Sequence, residues 1–101
     1  MLVLSRRAGE SIIIDKNIRV KVAAGYRQDA GTVSLYVDQP GTVGHYRHAR
    51  PLDVIELSET IKIKVLTIGV QVRLGITAPR DVAIWRDELL PITADDRRSK
   101  P

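Results

Sequence analysis

The chain has 101 residues, which is enough for one small domain or for one subunit of a small dimer. It contains no cysteine, which excludes disulfides and thiolate metal sites and fits a reducing compartment. No apolar run is long enough to span a membrane. Lysine and arginine outnumber aspartate and glutamate by 16 to 12, and the resulting charge of +4 permits a nucleic-acid partner without demanding one.

An alternation of apolar and polar residues with a period of two runs through much of the chain and predicts antiparallel β-strands. The alternating segments are "IRVKV" at 18–22, "IKIKV" at 61–65, "VQVRLGIT" at 70–77 and "VAIWR" at 82–86. In the third segment, Val70 and Val72 are expected on the same face of the strand. The unbroken apolar run "SIIID" at 11–15 predicts a strand covered on both faces.

Turn residues separate these segments. Ala8-Gly9 follows the first apolar strand, and Gly69 predicts a tight hairpin between two strands. A proline-containing turn is expected at 78–81, because proline cannot donate to a β-ladder. Residues 87–90 predict one short C-terminal helical turn, and the charged tail at 92–101 is expected to be flexible.

The middle of the chain, from about residue 23 to 51, has weak periodicity. Within it "GTVSLYV" predicts a strand, "DQPG" predicts a turn, and the basic "TVGHYRHARP" predicts a loop. The segments "KNIRVKV" and "ETIKIKV" look alike, and Ile18 and Ile61 within them are 43 positions apart. Because any two amphipathic strands look alike, we interpret this similarity as chance or a local duplication.

The sequence carries no enzyme signature. It has no G-x-S-x-G, Walker loop, H-E-x-x-H or G-x-G-x-x-G motif, so we expect that the protein is not an enzyme and uses no cofactor. His45 and His48 have the spacing of half a metal site, but no third ligand is suggested and no metal is predicted. Trp85 is interpreted as a packing residue.

Arginines supply the candidate contacts. Arg6 and Arg7 are neighbours on a strand, so their side chains are expected on opposite faces. Arg86 ends the last strand and can offer a planar fork to a guanine edge or a phosphate, or instead pair with a neighbouring carboxylate. Lys62, Lys64 and Arg73 form either a phosphate-contacting face or, the interpretation we favour, a solvated one.

Read together, the two ends of the chain resemble the CsrA/RsmA family of carbon storage regulators. The first family pattern is a short apolar strand, a Ser-Arg-Arg, a Gly-Glu and a second apolar strand, here Leu2-Val3-Leu4-Ser5-Arg6-Arg7, Gly9-Glu10 and Ile12-Ile13-Ile14. The later pattern is a Val-Arg-Leu-Gly-Ile strand, an Ala-Pro turn and a strand with the key arginine, here Val72–Ile76, Ala78-Pro79 and Trp85-Arg86-Asp87-Glu88. The patterns cover roughly half to two-thirds of the chain.

The resemblance implies an all-β fold in which a small five-stranded antiparallel unit forms an intertwined homodimer. The first and last strands of opposite subunits would pair, so the first strand is expected to lie at a sheet edge across a partner. The family turn between its second and third strands is short, so either residues 16–60 are inserted or an insertion follows a third strand at Ile18–Val22. The hairpin at Gly69 favours Ile61–Leu66 as the family's third strand, so we predict a single domain over residues 1–101 with a partly β insertion at about 16–60. Two further departures are Trp85, which stands where the family has histidine, and Pro91, which interrupts its C-terminal helix.

The resemblance also implies a function in the cytoplasm. The family binds RNA with a GGA core in hairpins, in messenger leaders near the ribosome-binding site and in small regulatory RNAs, and so represses or modulates translation. Carried over by position, the RNA-binding residues are Leu4, Arg6, Arg7, Thr77, Ala78, Pro79, Val82, Ile84 and Arg86. Arg86 is expected to contribute most.

A second hypothesis is a protein-interaction module on the same scaffold. The insertion would then be the binding surface, with Tyr26, Tyr36, Tyr46 and Arg47 as its contact residues. In some bacteria a flagellar assembly factor binds a family member, so a protein of that class is a further partner that the resemblance implies.

Overall fold

A computed structural model of the chain describes residues 1–23 and 31–86. These residues form nine strands: β1 (Leu2–Arg6), β2 (Ser11–Ile14), β3 (Ile18–Val22), β4 (Val33–Asp38), β5 (His45–Ala49), β6 (Val54–Glu56), β7 (Lys62–Ile68), β8 (Val72–Thr77) and β9 (Ile84–Arg86). The all-β prediction is confirmed. The helical turn predicted at 87–90 and the flexible tail predicted at 92–101 lie outside the described residues. Within the described ranges, no helix has the length and apolarity needed to cross a membrane.

The strands form two antiparallel sheets. Sheet I has the order β1-β8-β7-β6, and sheet II has the order β5-β4-β3-β2-β9. Buried residues of both sheets belong to one hydrophobic core, among them Leu74 and Ile63 of sheet I and Ile12 and Leu35 of sheet II. Among the nine strands described, the first and the last are both edge strands, and within this one chain β1 pairs with β8 and β9 pairs with β2.

The strand predictions are largely confirmed, because burial follows the period of the sequence. Strand β3 alternates between buried and exposed residues, and all four residues of β2 are buried, as the run at 11–15 predicted. The predicted hairpin is confirmed too: Gly69 donates its N–H to the carbonyl of Gln71 at 3.1 Å. Val70 lies in that hairpin and is 67% exposed, so the prediction that it shares the buried face with Val72 is wrong.

The segment predicted as a basic loop forms strand β5, which is a correction. Five of its residues pair in register with β4, from Val33 opposite Ala49 to Val37 opposite His45. The side chains of its first four residues are exposed, so the strand is attached mainly through its backbone. A strand of that kind leaves no alternation of apolar and polar residues for sequence reasoning to detect. The three-residue strand β6 was not predicted either.

The two sheets repeat the same local structure. The N–H of Gly9 donates to the carbonyl of Val22 at 2.8 Å, and the N–H of Leu52, 43 positions later, donates to the carbonyl of Val65 at 2.6 Å. The Glu10 side chain accepts a hydrogen bond from the N–H of Arg7 at 2.7 Å. The same bond recurs 43 positions later at 2.9 Å, from the N–H of Arg50 to the Asp53 carboxylate.

The repeat extends to the strand pairing. Val22 of β3 lies opposite Leu35 of β4, and Val65 of β7 lies opposite Leu74 of β8. Strand β5 lies on β4 as β1 lies on β8. The order β1-β8-β7-β6 therefore corresponds to β5-β4-β3-β2, and β9 is the additional strand of sheet II. The similarity at 43 positions is thus a duplication of structure rather than chance.

Leu52 is expected to carry backbone strain that Gly9 avoids. Both residues have positive φ, +75° for Leu52 and +85° for Gly9, and only glycine adopts that conformation without a steric penalty. The Leu52 side chain is 66% exposed, so little packing offsets the strain. We expect Leu52→Gly to raise the free energy of unfolding by about 0.5–1 kcal/mol in urea denaturation.

Leu52→Ala is the matched control, because it removes the side chain beyond Cβ but keeps the Cβ atom that strains the backbone at positive φ. The opposite change, Gly9→Ala, is expected to lower stability by about 1–2 kcal/mol. Equal stabilities for Leu52→Gly and Leu52→Ala would contradict the strain argument.

Candidate functional site

A groove lies where the start of β1 meets the β8–β9 connection. It encloses a cavity of about 270 Å³ and is lined by Met1, Leu2, Ile76, Thr77, Ala78, Pro79, Arg80 and Ile84. We call it the edge groove, because it joins one edge strand of sheet I to one edge strand of sheet II. Ile76 and Ile84 are buried and form its apolar floor, whereas Thr77, Pro79 and Arg80 are exposed.

The turn that forms one wall of the edge groove is fixed by its sequence. Pro79 cannot donate to a ladder, so the chain leaves the sheet after β8. The N–H of Val82 donates to the carbonyl of Pro79 at 3.1 Å and closes the turn. The N–H of Asp15 donates to the carbonyl of Ala83 at 2.8 Å, which ties the end of the turn to sheet II. The predicted turn at 78–81 is confirmed.

Two edge strands border this region. In the described part of the chain, β1 and β9 each pair on one side only, with β8 and β2 respectively. An edge strand presents N–H and C=O groups that can pair with an added ligand. The same kinds of donor and acceptor occur on the edges of nucleic-acid bases. The edge groove can therefore offer main-chain donors and acceptors above an apolar floor.

Gly75 makes room for Met1 beside the groove. A Cβ atom on Gly75 would contact Sδ of Met1 and would lie 3.1 Å from its Cγ, so the Met1 side chain lies directly over this glycine. The nearest further atom is Cδ1 of Leu66, at 3.5 Å. The absence of a side chain at Gly75 thus lets a flexible thioether cover sheet I at the entrance of the groove.

Four of the predicted site residues line the edge groove together: Thr77, Ala78, Pro79 and Ile84. Two others, Val82 and Arg86, are half-buried on the same turn and strand. Arg86 lies opposite Ile12 in the pairing of β9 with β2, and it shares a strand face with Ile84. Sequence reasoning missed the remaining lining residues, which are Met1, Leu2, Ile76 and Arg80. Among these four residues, Arg80, next to Pro79 in the turn, is the one for which the charge could have predicted a role in the site.

Leu4 and Arg6 lie inside the protein rather than in the groove. Both are 6% exposed, and Leu4 belongs to the hydrophobic core. Nε of Arg6 donates to the carbonyl of Ser5 at 2.8 Å, and Nη1 donates to the carbonyl of buried Ser11 at 3.5 Å. Nη2 lies 3.7 Å from Oε1 of Glu10. This guanidinium connects β1 to the start of β2.

Arg7 lies neither in the edge groove nor inside the protein. It is exposed whereas Arg6 is buried, and it lies one residue beyond the end of β1, so strand alternation does not apply to it. It lines a second, open cavity of about 540 Å³ with Arg73 and the hairpin residues 67–71. The structure therefore separates Arg6, Arg7 and the groove residues into three places.

The two histidines of β5 are engaged in local hydrogen bonds. Nδ1 of His48 lies 2.6 Å from Oγ of Ser34, and Nδ1 of His45 lies 3.2 Å from the carbonyl of Val43. Among residues 1–23 and 31–86, no group of three or more histidine, aspartate or glutamate side chains could hold a metal ion.

Comparison with known proteins gives the family. A model of the CsrA global regulator protein family matches residues 1–49 and again residues 50–94. The chain belongs to the CsrA family. Membership of a family of regulators confirms the predicted resemblance and the prediction that the protein is not an enzyme.

Two bacterial relatives carry the same name, "Translational regulator CsrA". The protein of Oleidesulfovibrio alaskensis is 36% identical over 50 residues, which cover 48% of this chain and 64% of the relative. The protein of Geobacter sulfurreducens is 47% identical over 38 residues, which cover 37% of this chain and 48% of the relative. The matched stretches thus span from about half to just under two thirds of these relatives. No solved structure matches the chain.

The two segments matched by the family model meet between residues 49 and 50, inside the range of about 16–60 that we predicted as an insertion. The insertion into a single domain stays a prediction. The duplicated hydrogen bonds and strand pairing favour a division into two halves, a first half of residues 1–49 and a second half that starts at residue 50.

Arg6→Ala is expected to destabilise the fold. The substitution removes the donor that serves the carbonyl of buried Ser11 and leaves a cavity beside it, so the free energy of unfolding should fall by about 1–3 kcal/mol in urea denaturation. Arg7→Ala is the matched control, because it removes the same group from an exposed position and should change stability by less than about 0.5 kcal/mol. Equal effects of the two substitutions would contradict a structural role for Arg6.

Proposed function

We propose that the chain is a post-transcriptional regulator that binds GGA-containing RNA in the edge groove and thereby represses or modulates translation in the cytoplasm. The observation that carries the proposal is the edge groove itself, which brings the family's turn and last strand to the family's first strand. Membership of the CsrA family and the name of its two relatives support it. No cofactor takes part, since occupation of a messenger leader near the ribosome-binding site is enough to block initiation.

The chemistry of the groove suits a short single-stranded segment. Edge-strand N–H and C=O groups can pair with base edges, and the floor of Ile76 and Ile84 can pack against base faces. Arg80 stands at the rim, where it can contact a phosphate, and Arg86 can offer two parallel donors to O6 and N7 of a guanine. Recognition of this kind needs few aromatic residues, and the whole chain has four.

The other predicted residues would act at a distance from the bases. Leu4 and Arg6 are buried, so in this proposal they hold β1 in place beside the groove. Arg7 lies with Arg73 at a separate cavity, where it would attract the RNA backbone outside the GGA core. Messenger leaders and small regulatory RNAs present the same core and are the proposed partners.

A protein-binding role on the same scaffold is the second candidate. The rings of Tyr36 and Tyr46 meet edge to face, with centroids 4.9 Å apart, and Tyr46 is 59% exposed. They line a cavity of about 410 Å³ together with Gly9, Lys21 and Ala23. Exposed aromatic residues of this kind are common in protein interfaces, and a flagellar assembly factor is one candidate partner. Tyr26, the fourth residue of that hypothesis, lies outside the described residues.

Binding should depend on the GGA loop. We expect a hairpin RNA with a GGA loop to bind at least tenfold more tightly than the same hairpin with a CCA loop, because base-edge contacts distinguish the two. Titration at about 50 and 200 mM salt separates this term from phosphate attraction, which falls steeply with salt and does not depend on the loop. Equal, salt-sensitive affinities would leave only a basic surface, and absence of binding would favour the protein-binding role.

Arg86→Ala should remove most of the affinity. The loss of a bidentate contact to guanine is expected to weaken binding of the GGA hairpin by about 1–3 kcal/mol, or roughly 5- to 150-fold, with little effect on the CCA hairpin. Arg73→Ala is the control, because it removes an equal charge from the other cavity. A melting curve shows that the fold is retained, and an unchanged affinity of folded Arg86→Ala would reject this assignment.

A further inference from the structure

We propose that a single chain is a complete binding unit that holds one RNA in one groove, without a second copy of the protein. This rests on the proposed function, because it assigns the number of RNA sites. It differs from the homodimer that the resemblance implies, and it follows from the duplication within the chain.

The chain closes its own sheets. Strand β1 from the first half pairs with β8 from the second half over five residue pairs, and β9 from the second half pairs with β2 from the first over three. Core residues of both halves pack together, among them Leu4 with the second-half residues Leu74 and Ile76. The exchange of edge strands that a dimer would supply is therefore present within one chain.

The duplication predicts a second groove at the corresponding position, but only one of the two strands that would border it is found among the described residues. The correspondence of β1-β8-β7-β6 with β5-β4-β3-β2 carries β1 onto β5 and carries the position of β9 onto the outer edge of β6. In the described part of the chain, no strand pairs with that edge. Strand β4 ends at Asp38 and β5 begins at His45, so only the turn 39–44 lies between them. None of the residues in that turn is in a strand.

One segment corresponds to two different strands. By sequence, "PGTVGHYR" at 40–47 matches "PRDVAIWR" at 79–86, so Arg47 corresponds to Arg86 of the last strand. By position, β5 lies on β4 as β1 lies on β8, so Arg47 corresponds to Leu4 of the first strand. A segment that occupies the edge of β4 cannot also occupy the edge of β6. Among the described residues, no strand of the first half therefore lies on β6 in the place that β9 has on β2.

The residues around this second edge also differ in charge. In the correspondence of β4 with β8, Asp38 takes the place of Thr77. When the same correspondence is continued past Gln39 into the turn, Gly41 takes the place of Arg80. An exposed carboxylate replaces a hydroxyl, and the cation at the rim is lost, which is unfavourable for a phosphate backbone. Arg47 is exposed where the buried Leu4 stands in sheet I. At the positions that correspond to Thr77 and Arg80 of the edge groove, the second edge thus has a carboxylate and no cation.

Native mass spectrometry and sedimentation of the full chain, alone and with the GGA hairpin, test the proposal. We expect the chain alone at its single-chain mass of 11.2 kDa, and a saturated complex with one RNA per chain. Two RNAs per chain would overturn the proposal, and so would a dimer that must form before RNA binds. Both outcomes would leave the proposed RNA-binding function intact, whereas absence of binding to any hairpin would remove that function and the RNA count with it.

The two corresponding arginines provide the matched variants. Arg86→Ala should weaken binding at least tenfold, whereas Arg47→Ala should weaken it no more than Arg73→Ala, which reports the effect of losing one charge. Equal losses from Arg86→Ala and Arg47→Ala, with both variants folded, would show that both edges bind RNA and would overturn the single-groove proposal. Circular dichroism and melting temperature establish that each variant is folded.

Discussion

The pairing of edge strands from one half of the chain with the sheet of the other is the interaction on which the rest of the structure depends. Each half has about 50 residues or fewer, a length at which a single hydrophobic core is only marginally stable. By placing β1 on β8 and β9 on β2, the chain joins its two halves into one core. The same exchange brings Met1 and Leu2 close to Ile84, and the edge groove lies between them. The arrangement that stabilises the fold is therefore also the one that forms the site.

Much of the fold could be predicted from the period of the sequence, and the exceptions have a common cause. Segments such as β2 and β3 bury side chains, so their apolar residues report where they lie. Strand β5 is held by backbone hydrogen bonds and exposes His45, Tyr46, Arg47 and His48, so its composition resembles that of a loop. Strand β6 has only three residues, too few for a period to be visible. The alternation of apolar and polar side chains predicts which strands are buried. A strand that pairs without burying its side chains cannot be recognised from that alternation.

The candidate site could likewise be predicted from the sequence only in part. The turn with Pro79 and the strand with Ile84 could be found from sequence, because proline and alternation each constrain the backbone. The different environments of Arg6 and Arg7 could not be predicted from alternation, because β1 ends at Arg6 and the burial of Arg6 depends on the carbonyl of Ser11 and the carboxylate of Glu10. Met1 and Leu2 enter the groove because β1 crosses to the other half, which is a consequence of topology that no local pattern contains.

When a unit is duplicated within one chain, the sequence of each half can change independently of the other. In a symmetric dimer of identical chains every substitution occurs twice, so a change that damages one site damages both. Here the positions of Gly9 and Leu52 differ, and so do those of Arg6 and Ala49, although their backbones correspond. One half can then lose a strand or introduce Asp38 at its turn while the other keeps an intact groove. The asymmetry of this chain is what a covalent link permits. Under the proposed function, it makes the number of RNAs per chain the property in which the protein should differ most clearly from a symmetric dimer.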